Sequence, residues 1–181
     1  MNFKLILLDR DGVINRKIDK GYVNSKDQFE LNDGILEFLD YLETQKMRTA
    51  IITNQQGLSK GVTNYSIFFE IQGAFAQICV DRKITPPQLF YCPHLENSCF
   101  CRKPLGGMLK AAMATFNAAS IETLLVGDMP LDIKAAQTLG VRSVHLTLGQ
   151  EDSLKCGCEA TLHANSFDEI SYFLGGVARN H

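Results

Sequence analysis

Short, almost wholly apolar runs alternate along this chain with longer stretches whose apolar residues recur every three or four positions. The runs are residues 3–8, 49–53, 89–92, 124–126 and 143–148. Their length and continuity predict strands buried on both faces, as in a parallel sheet covered by helices. The stretches between them predict those helices. Asn32 or Asp33 can cap one that runs to about Lys46, with Ile35, Phe38, Leu39 and Leu42 along one face. Residues 65–80, 107–118 and 131–139 repeat the pattern, and Gly140 offers a stop after the last. A final helix begins near Ser166 and carries Ile170, Phe173 and Leu174. No repeat, low-complexity tract or linker interrupts this order, and 181 residues suffice for one domain but are short for two. Residues 1–181 therefore read as a single α/β domain. Its expected form is a doubly wound, Rossmann-like parallel sheet of about five strands with helices on both faces.

In such a sheet the ligand site lies outside the carboxyl ends of the strands. The residues found there are chemical ones. The first run ends at Asp9, the second at Thr53-Asn54, the third at Cys92 and the fourth just before Asp128. In Asp9-Arg10-Asp11-Gly12, a backbone that stays extended points both acids the same way, and Gly12 allows a sharp turn afterwards. Two acids so placed can divide the roles of nucleophile or metal ligand and acid/base. Arg102-Lys103-Pro104 sets two cations before a helix, and Gly127-Asp128-Met129-Pro130-Leu131-Asp132 follows another buried run. Taken singly, each piece also fits a turn, a solvated pair or a helix cap. Four of them in this order, each near a strand end, are far less expected by chance than any one alone.

Composition narrows the partners. Hydrophobic residues make up 45% and charged residues 21% of the chain, as in ordinary soluble proteins. The net charge of −2, from 18 basic and 20 acidic residues, gives no footprint for nucleic acid or for an anionic membrane surface. No stretch approaches the ~20 apolar residues of a membrane span. The apolar run at residues 5–8 is cut off by Asp9-Arg10-Asp11 and does not read as a signal peptide, so a cytoplasmic location is expected.

The 6 cysteines then read as metal chemistry more readily than as disulfides. Cys92, His94, Cys99 and Cys101 fall within ten positions and offer three thiolates and an imidazole, a closed Cys₃His set for structural Zn²⁺. The loop is too small for a core of its own, and metal would hold it shut and fix the direction of Arg102 and Lys103. Cys156-Gly157-Cys158 has no second pair beside it except His163 and reads as a loop. Cys79 reads as core and His145 as a packed strand histidine.

The ordered pieces Asp9-x-Asp11, Thr53, Lys103 and Gly127-Asp128-x-x-x-Asp132 resemble the haloacid-dehalogenase superfamily of phosphohydrolases over most of the domain. Residues 9–15, Asp19-Lys20-Gly21-Tyr22-Val23, Thr53-Asn54-Gln55-Gln56-Gly57 and residues 99–104 are most similar to its branch of D-glycero-D-manno-heptose-1,7-bisphosphate and histidinol-phosphate phosphatases, and more to the heptose members. The resemblance implies that Asp9 is the nucleophile, Asp11 the general acid and base, and Thr53 and Lys103 the donors to the phosphoryl oxygens. Mg²⁺ would be held by Asp9, the Asp11 main-chain carbonyl and Asp128, while Asp132 orders the metal's surroundings or caps the next helix. It carries Cys92, His94, Cys99 and Cys101 as zinc ligands. Asp19, Lys20, Gly21 and Tyr22 would touch a small phosphorylated sugar, with Asn54, Gln55 and Gln56 nearby and Arg102 on the distal part of a bisphosphate. No insertion is long enough for a large cap domain, so a fairly open site on a monomer is expected. In the heptose reading, the product feeds lipopolysaccharide or surface-glycan precursor synthesis. Met129 departs from the branch, whose members often place a lysine or arginine there, and the segment between Asn15 and Asp19 is slightly longer than theirs. Alternatives are a histidinol-phosphate or other small-phosphomonoester phosphatase and, from another class, a zinc-bearing binding module.

Overall fold

The computed structural model describes residues 2–19, 21–149 and 158–175. Six strands form one sheet: β1 (Leu5–Leu8), β2 (Arg48–Asn54), β3 (Gln88–Cys92), β4 (Thr123–Gly127), β5 (Arg142–Leu146) and β6 (Leu162–Ala164), in the order β3-β2-β1-β4-β5-β6. Every neighbouring pair is parallel. The chain runs from β1 outward to β3 and then returns to β4 on the other side of β1, so the winding reverses at β1. That reversal opens a crevice at the carboxyl ends of β1 and β4.

The apolar runs form these strands because both faces are covered. In β1 all four residues are fully buried: Ile6 and Leu8 pack into one core layer, and Leu5 and Leu7 into the other. The first layer is closed by Phe38, Leu39 and Leu42 of α1 (Ile35–Thr44), Phe75 and Cys79 of α2 (Tyr65–Asp81), and Ile170 and Leu174 of α5 (Phe167–Gly175). The second is closed by Met108, Leu109 and Ala112 of α3 (Gly107–Thr115), and Ala135 and Ala136 of α4 (Pro130–Gln137). Helices lie on both faces, as the alternation of patterns predicts.

The structure corrects the expectation at several points. The sheet has six strands rather than about five: β6 is a three-residue edge strand whose Leu-His-Ala gives no apolar run. The helix expected after an Asn32 or Asp33 cap begins instead behind Gly34, at φ 84, because the Asn32 side chain donates to the Val13 carbonyl at 2.9 Å. Cys158 is disulfide-bonded, where a plain loop was expected because Cys156-Gly157-Cys158 has no second cysteine pair beside it. Cys156 and Lys20 lie outside the described residues. Between β1 and α1 the described chain holds one 3₁₀ turn, Lys26–Gln28, and no helix or sheet that could serve as a cap domain. Among the described residues, no helix is long and apolar enough to cross a membrane.

Candidate active site

Asp9 follows β1 directly, and its main-chain N–H donates to the Val126 carbonyl of β4 at 2.9 Å, which fixes it at the crevice. Its Oδ1 accepts from the Arg10 N–H at 2.8 Å and lies 2.8 Å from Lys103 Nζ. Lys103 arrives from the loop after β3 and is almost fully buried. Its ammonium also contacts Asp132 Oδ1 at 2.5 Å and donates to the Ile52 carbonyl at 2.8 Å, so its three protons are all engaged. Burial opposes the charge of Lys103, but Asp132 and Asp9 more than offset this and raise its pKa above the ordinary lysine value.

Carboxylate oxygens of Asp9, Asp128 and Asp132 lie within 4.8 Å of one another. Glycine makes this crowding possible. A Cβ on Gly12, which sits at φ 104, would strike the Asp128 carboxylate, and one on Gly127 would strike Asp132. Burial pushes the Asp9 carboxyl up to about 6, with Lys103 opposing the shift and Asp132 and Asp11 adding to it. Burial also raises Asp128 and Asp132, the first helped by Asp9 and the second by Asp128. Three close carboxylates that resist ionisation, with Lys103 and the Lys17 ammonium beside them, fit a hard divalent cation such as Mg²⁺ as the missing positive charge. Asp132 belongs to this cluster and also accepts from the Met129 N–H at 3.1 Å, which caps α4. His145, buried on β5, donates through Nε2 to the Asp128 carbonyl at 3.2 Å and holds that main chain in place.

Asp11 is gripped from three sides. Arg10 Nε and Nη2 form a fork on its carboxylate, the Nη2 bonds measuring 2.8 and 2.9 Å. Asn15 Nδ2 donates to Oδ1 at 3.1 Å, and Gln55 Nε2 donates to Oδ2 at 2.8 Å. Gln55 also donates to Thr53 Oγ1 at 2.8 Å, so one amide links the two side chains. Arg10 is 2% exposed and lies 5.4 Å above the Phe68 ring of α2.

These residues open onto a cavity of about 160 Å³ lined by Asp9, Asp11, Thr53, Asn54, Arg102 and Lys103, with Lys17, Met129, Leu131 and Asp132. A second cavity of about 220 Å³ adjoins it through Arg102, Lys103 and Leu131 and extends along the cysteine loop. Two larger cavities, about 390 and 590 Å³, are lined by other residues and lack this grouping of acids and cations. Asp19 and Gly21 are exposed and Tyr22 is half-buried; none of them lines the small cavity, and neither do Gln55 and Gln56. Asn54 does line it, but its amide is engaged by the Lys103 main chain at 3.0 Å in both directions. Sequence reasoning missed Arg10, Asn15 and Lys17. Arg10 between two acids looks like a solvated charge until Phe68 covers it, and Lys17 sits in a polar stretch with no periodic signal.

The four residues of the cysteine loop converge. Cys101 Sγ lies 3.2 Å from Cys92 Sγ, 3.3 Å from Cys99 Sγ and 3.3 Å from His94 Nδ1, and Cys92 Sγ lies 3.5 Å from both His94 Nδ1 and Cys99 Sγ. A tetrahedral zinc centre with metal–sulfur bonds of ~2.3 Å has edges of about 3.8 Å, so this set fits after slight expansion.

Comparison with known proteins agrees with this geometry. Over 135 residues, 75% of this chain and 77% of the relative, the chain is 38% identical to the D-glycero-alpha-D-manno-heptose-1,7-bisphosphate 7-phosphatase of Campylobacter jejuni. It is 28% identical, over 96% of both chains, to the D-glycero-beta-D-manno-heptose-1,7-bisphosphate 7-phosphatase of Photorhabdus laumondii. The crystal structure of D,D-heptose 1,7-bisphosphate phosphatase from B. bronchiseptica, complexed with magnesium and phosphate, superposes with a TM-score of 0.86 at 26% identity, covering 95% of this chain and 98% of that one. Residues 5–146, which span every strand from β1 to β5 and all the carboxylates above, match the model for haloacid dehalogenase-like hydrolases, and the chain belongs to that family.

Proposed function

We propose that this protein is a phosphomonoesterase that removes the 7-phosphate of D-glycero-D-manno-heptose 1,7-bisphosphate through a phospho-aspartate on Asp9. The observation that carries the chemistry is the environment of Asp9. It is a buried carboxylate whose Oδ1 is tied to Lys103 and to the Arg10 amide, at a crevice where three acids meet a cavity. The heptose substrate is supported by the relatives, which carry that name for both anomers.

With Oδ1 held, Oδ2 of Asp9 attacks phosphorus in line, and the bond from phosphorus to the sugar oxygen breaks. Asp11, carrying the proton taken up in the preceding turnover, turns from Arg10 and Gln55 toward the leaving oxygen and gives that proton to it. It then takes a proton from the water that attacks the phospho-aspartate, and inorganic phosphate departs with the Asp9 carboxylate restored. Lys103 and Thr53 face the phosphoryl oxygens, since phosphoryl transfer is mostly a matter of position and charge. Asp9, Asp128 and the Asp11 main-chain carbonyl would hold Mg²⁺, which would supply the positive charge that offsets repulsion between an anionic nucleophile and an anionic phosphate. Cys92, His94, Cys99 and Cys101 would hold Zn²⁺, which would fix the loop from which Arg102 and Lys103 emerge.

The test is phosphate release with Mg²⁺ from the α and β anomers of the heptose bisphosphate, beside histidinol phosphate and a simple sugar monophosphate. An advantage in kcat/KM of about a hundredfold for one heptose anomer is expected. Weak release from all four substrates would keep the chemistry and remove the heptose assignment.

A further inference from the structure

Lys17 stands at the mouth of this site with no part in the chemistry of Asp9 and Asp11. Its Nζ lies 2.8 Å from Asp128 Oδ2, and its side chain is 38% exposed against 13% for Asp128. The partners are 111 residues apart, so the pair fastens the loop after β1 across the carboxyl end of β4. Lys17 lines the same cavity as Arg102, Lys103 and Met129. Lys103 has all three protons committed, to Asp9, Asp132 and the Ile52 carbonyl. Met129 brings no charge. Among the lining residues, Lys17 and Arg102 are therefore the cations left to meet a second anionic group on a ligand.

The pairing of Lys17 with Asp128 conflicts with a divalent cation at the same carboxylate. Both require its oxygen, and two cations brought that close repel. A lysine can resolve the conflict by moving, because its compact ammonium rides on a flexible stem and this one is already partly in solvent. We propose that Lys17 is a place-holder that becomes a specificity residue. In the metal-free protein it neutralises Asp128; when a divalent cation takes Asp128, it turns across the cavity mouth to hold the substrate's second, non-reacting phosphate. The second half rests on the bisphosphate reading above. Because Lys17 trades one anionic partner for another, a bisphosphate and the metal ion tighten each other's binding, whereas a monophosphate leaves the displaced Lys17 without a partner.

The experiment compares the intact protein with Lys17→Met and Lys17→Arg, after thermal melts establish that each variant is folded. Calorimetric titration of Mg²⁺ alone into metal-free protein should show Lys17→Met binding it about tenfold more tightly than the wild type, since the competing ammonium is gone. Steady-state kinetics should show the ratio of KM for the bisphosphate to KM for the corresponding monophosphate rising about tenfold in Lys17→Met, and returning most of the way in Lys17→Arg. Equal or weaker Mg²⁺ binding by Lys17→Met overturns the place-holder. An unchanged KM ratio overturns the specificity role. A wild-type protein that does not hydrolyse the heptose bisphosphate removes the functional reading and the specificity role with it, while the Mg²⁺ titration still decides the place-holder.

Discussion

Asn54 and Lys103 hold each other by a reciprocal pair of hydrogen bonds. Asn54 Oδ1 accepts the Lys103 main-chain N–H at 3.0 Å, and Asn54 Nδ2 donates to the Lys103 carbonyl at 3.0 Å. This links the end of β2 to the exit of the cysteine loop and sets the direction from which the Lys103 side chain reaches Asp9. Asn54→Ala loses both bonds and should cost about 1–3 kcal/mol, read as a Tm lower by several degrees. Its kcat should fall with it, because Lys103 is no longer aimed. Asn54→Asp keeps the acceptor but sets a carboxylate oxygen against the Lys103 carbonyl, and should be no milder. A variant with normal kcat would separate the clamp from the chemistry.

Asp9→Asn should fold and show no turnover above background in the phosphate-release assay. In the metal-free protein it should also be more stable than the wild type at neutral pH. The unfolded carboxyl titrates at the ordinary 3.8 and burial raises the folded one to about 6, so the folded state binds the proton more tightly. The contribution of this group to stability is full below about 4 and is lost as pH rises through about 6. An amide removes that loss, and urea unfolding at pH 5 and pH 8 should show the gap between variant and wild type widening, to about 1–3 kcal/mol.

The same shift governs activity. A nucleophile must be ionised, so kcat/KM in the acid limb should rise with pH up to the carboxyl's apparent pKa. Bound metal shifts that limb below the metal-free value of about 6. Raising the Mg²⁺ concentration should therefore move the limb to lower pH, and a limb indifferent to Mg²⁺ would detach it from Asp9.

Removal of zinc by a strong chelator should abolish activity that Mg²⁺ alone does not restore, because Arg102 and Lys103 lose their anchor. Readdition of Zn²⁺ should restore it, with one equivalent found by metal analysis. Burial pushes the Cys92 thiol up to about 12 in the metal-free chain, so zinc uptake at neutral pH must expel its proton. Titrations in buffers of different ionisation enthalpy should reveal that release.

Gln55→Ala should lower kcat about tenfold with little change in KM, since the amide positions Asp11 and Thr53 rather than meeting the cavity. Gln55→Glu should be worse, because it sets a second carboxylate where an N–H now donates to Asp11 at 2.8 Å.

The residues that could be read from sequence are those whose place follows from a strand end. Asp9, Thr53 and Asp128 each sit at or just past the end of a run whose apolar character is unmistakable, and the sheet collects them. The Cys₃His cluster was equally open, because ten residues carry all four of its members. Arg10 and Lys17 were not, and neither was the contact of Gln55 with Asp11. Arg10 is buried by Phe68 of a helix more than fifty positions on, Gln55 finds Asp11 across 44 positions, and Lys17 finds Asp128 across 111. Such contacts depend on the completed fold, and no local period announces them. β6 escaped for a related reason: an edge strand of three residues needs no apolar run to pair.

β1 lies in the middle of the sheet, with both faces covered and Asp9 joined to β4 at its very end. A strand so enclosed cannot fray by itself; freeing it means parting β2 and β4 and uncovering both layers of apolar side chains. Asp9 thus shares the fate of a fully enclosed central strand, and its amide should exchange with solvent only through global opening. On warming, catalysis and cooperative melting should be lost over one temperature range, with no earlier, gentler decline of the active centre.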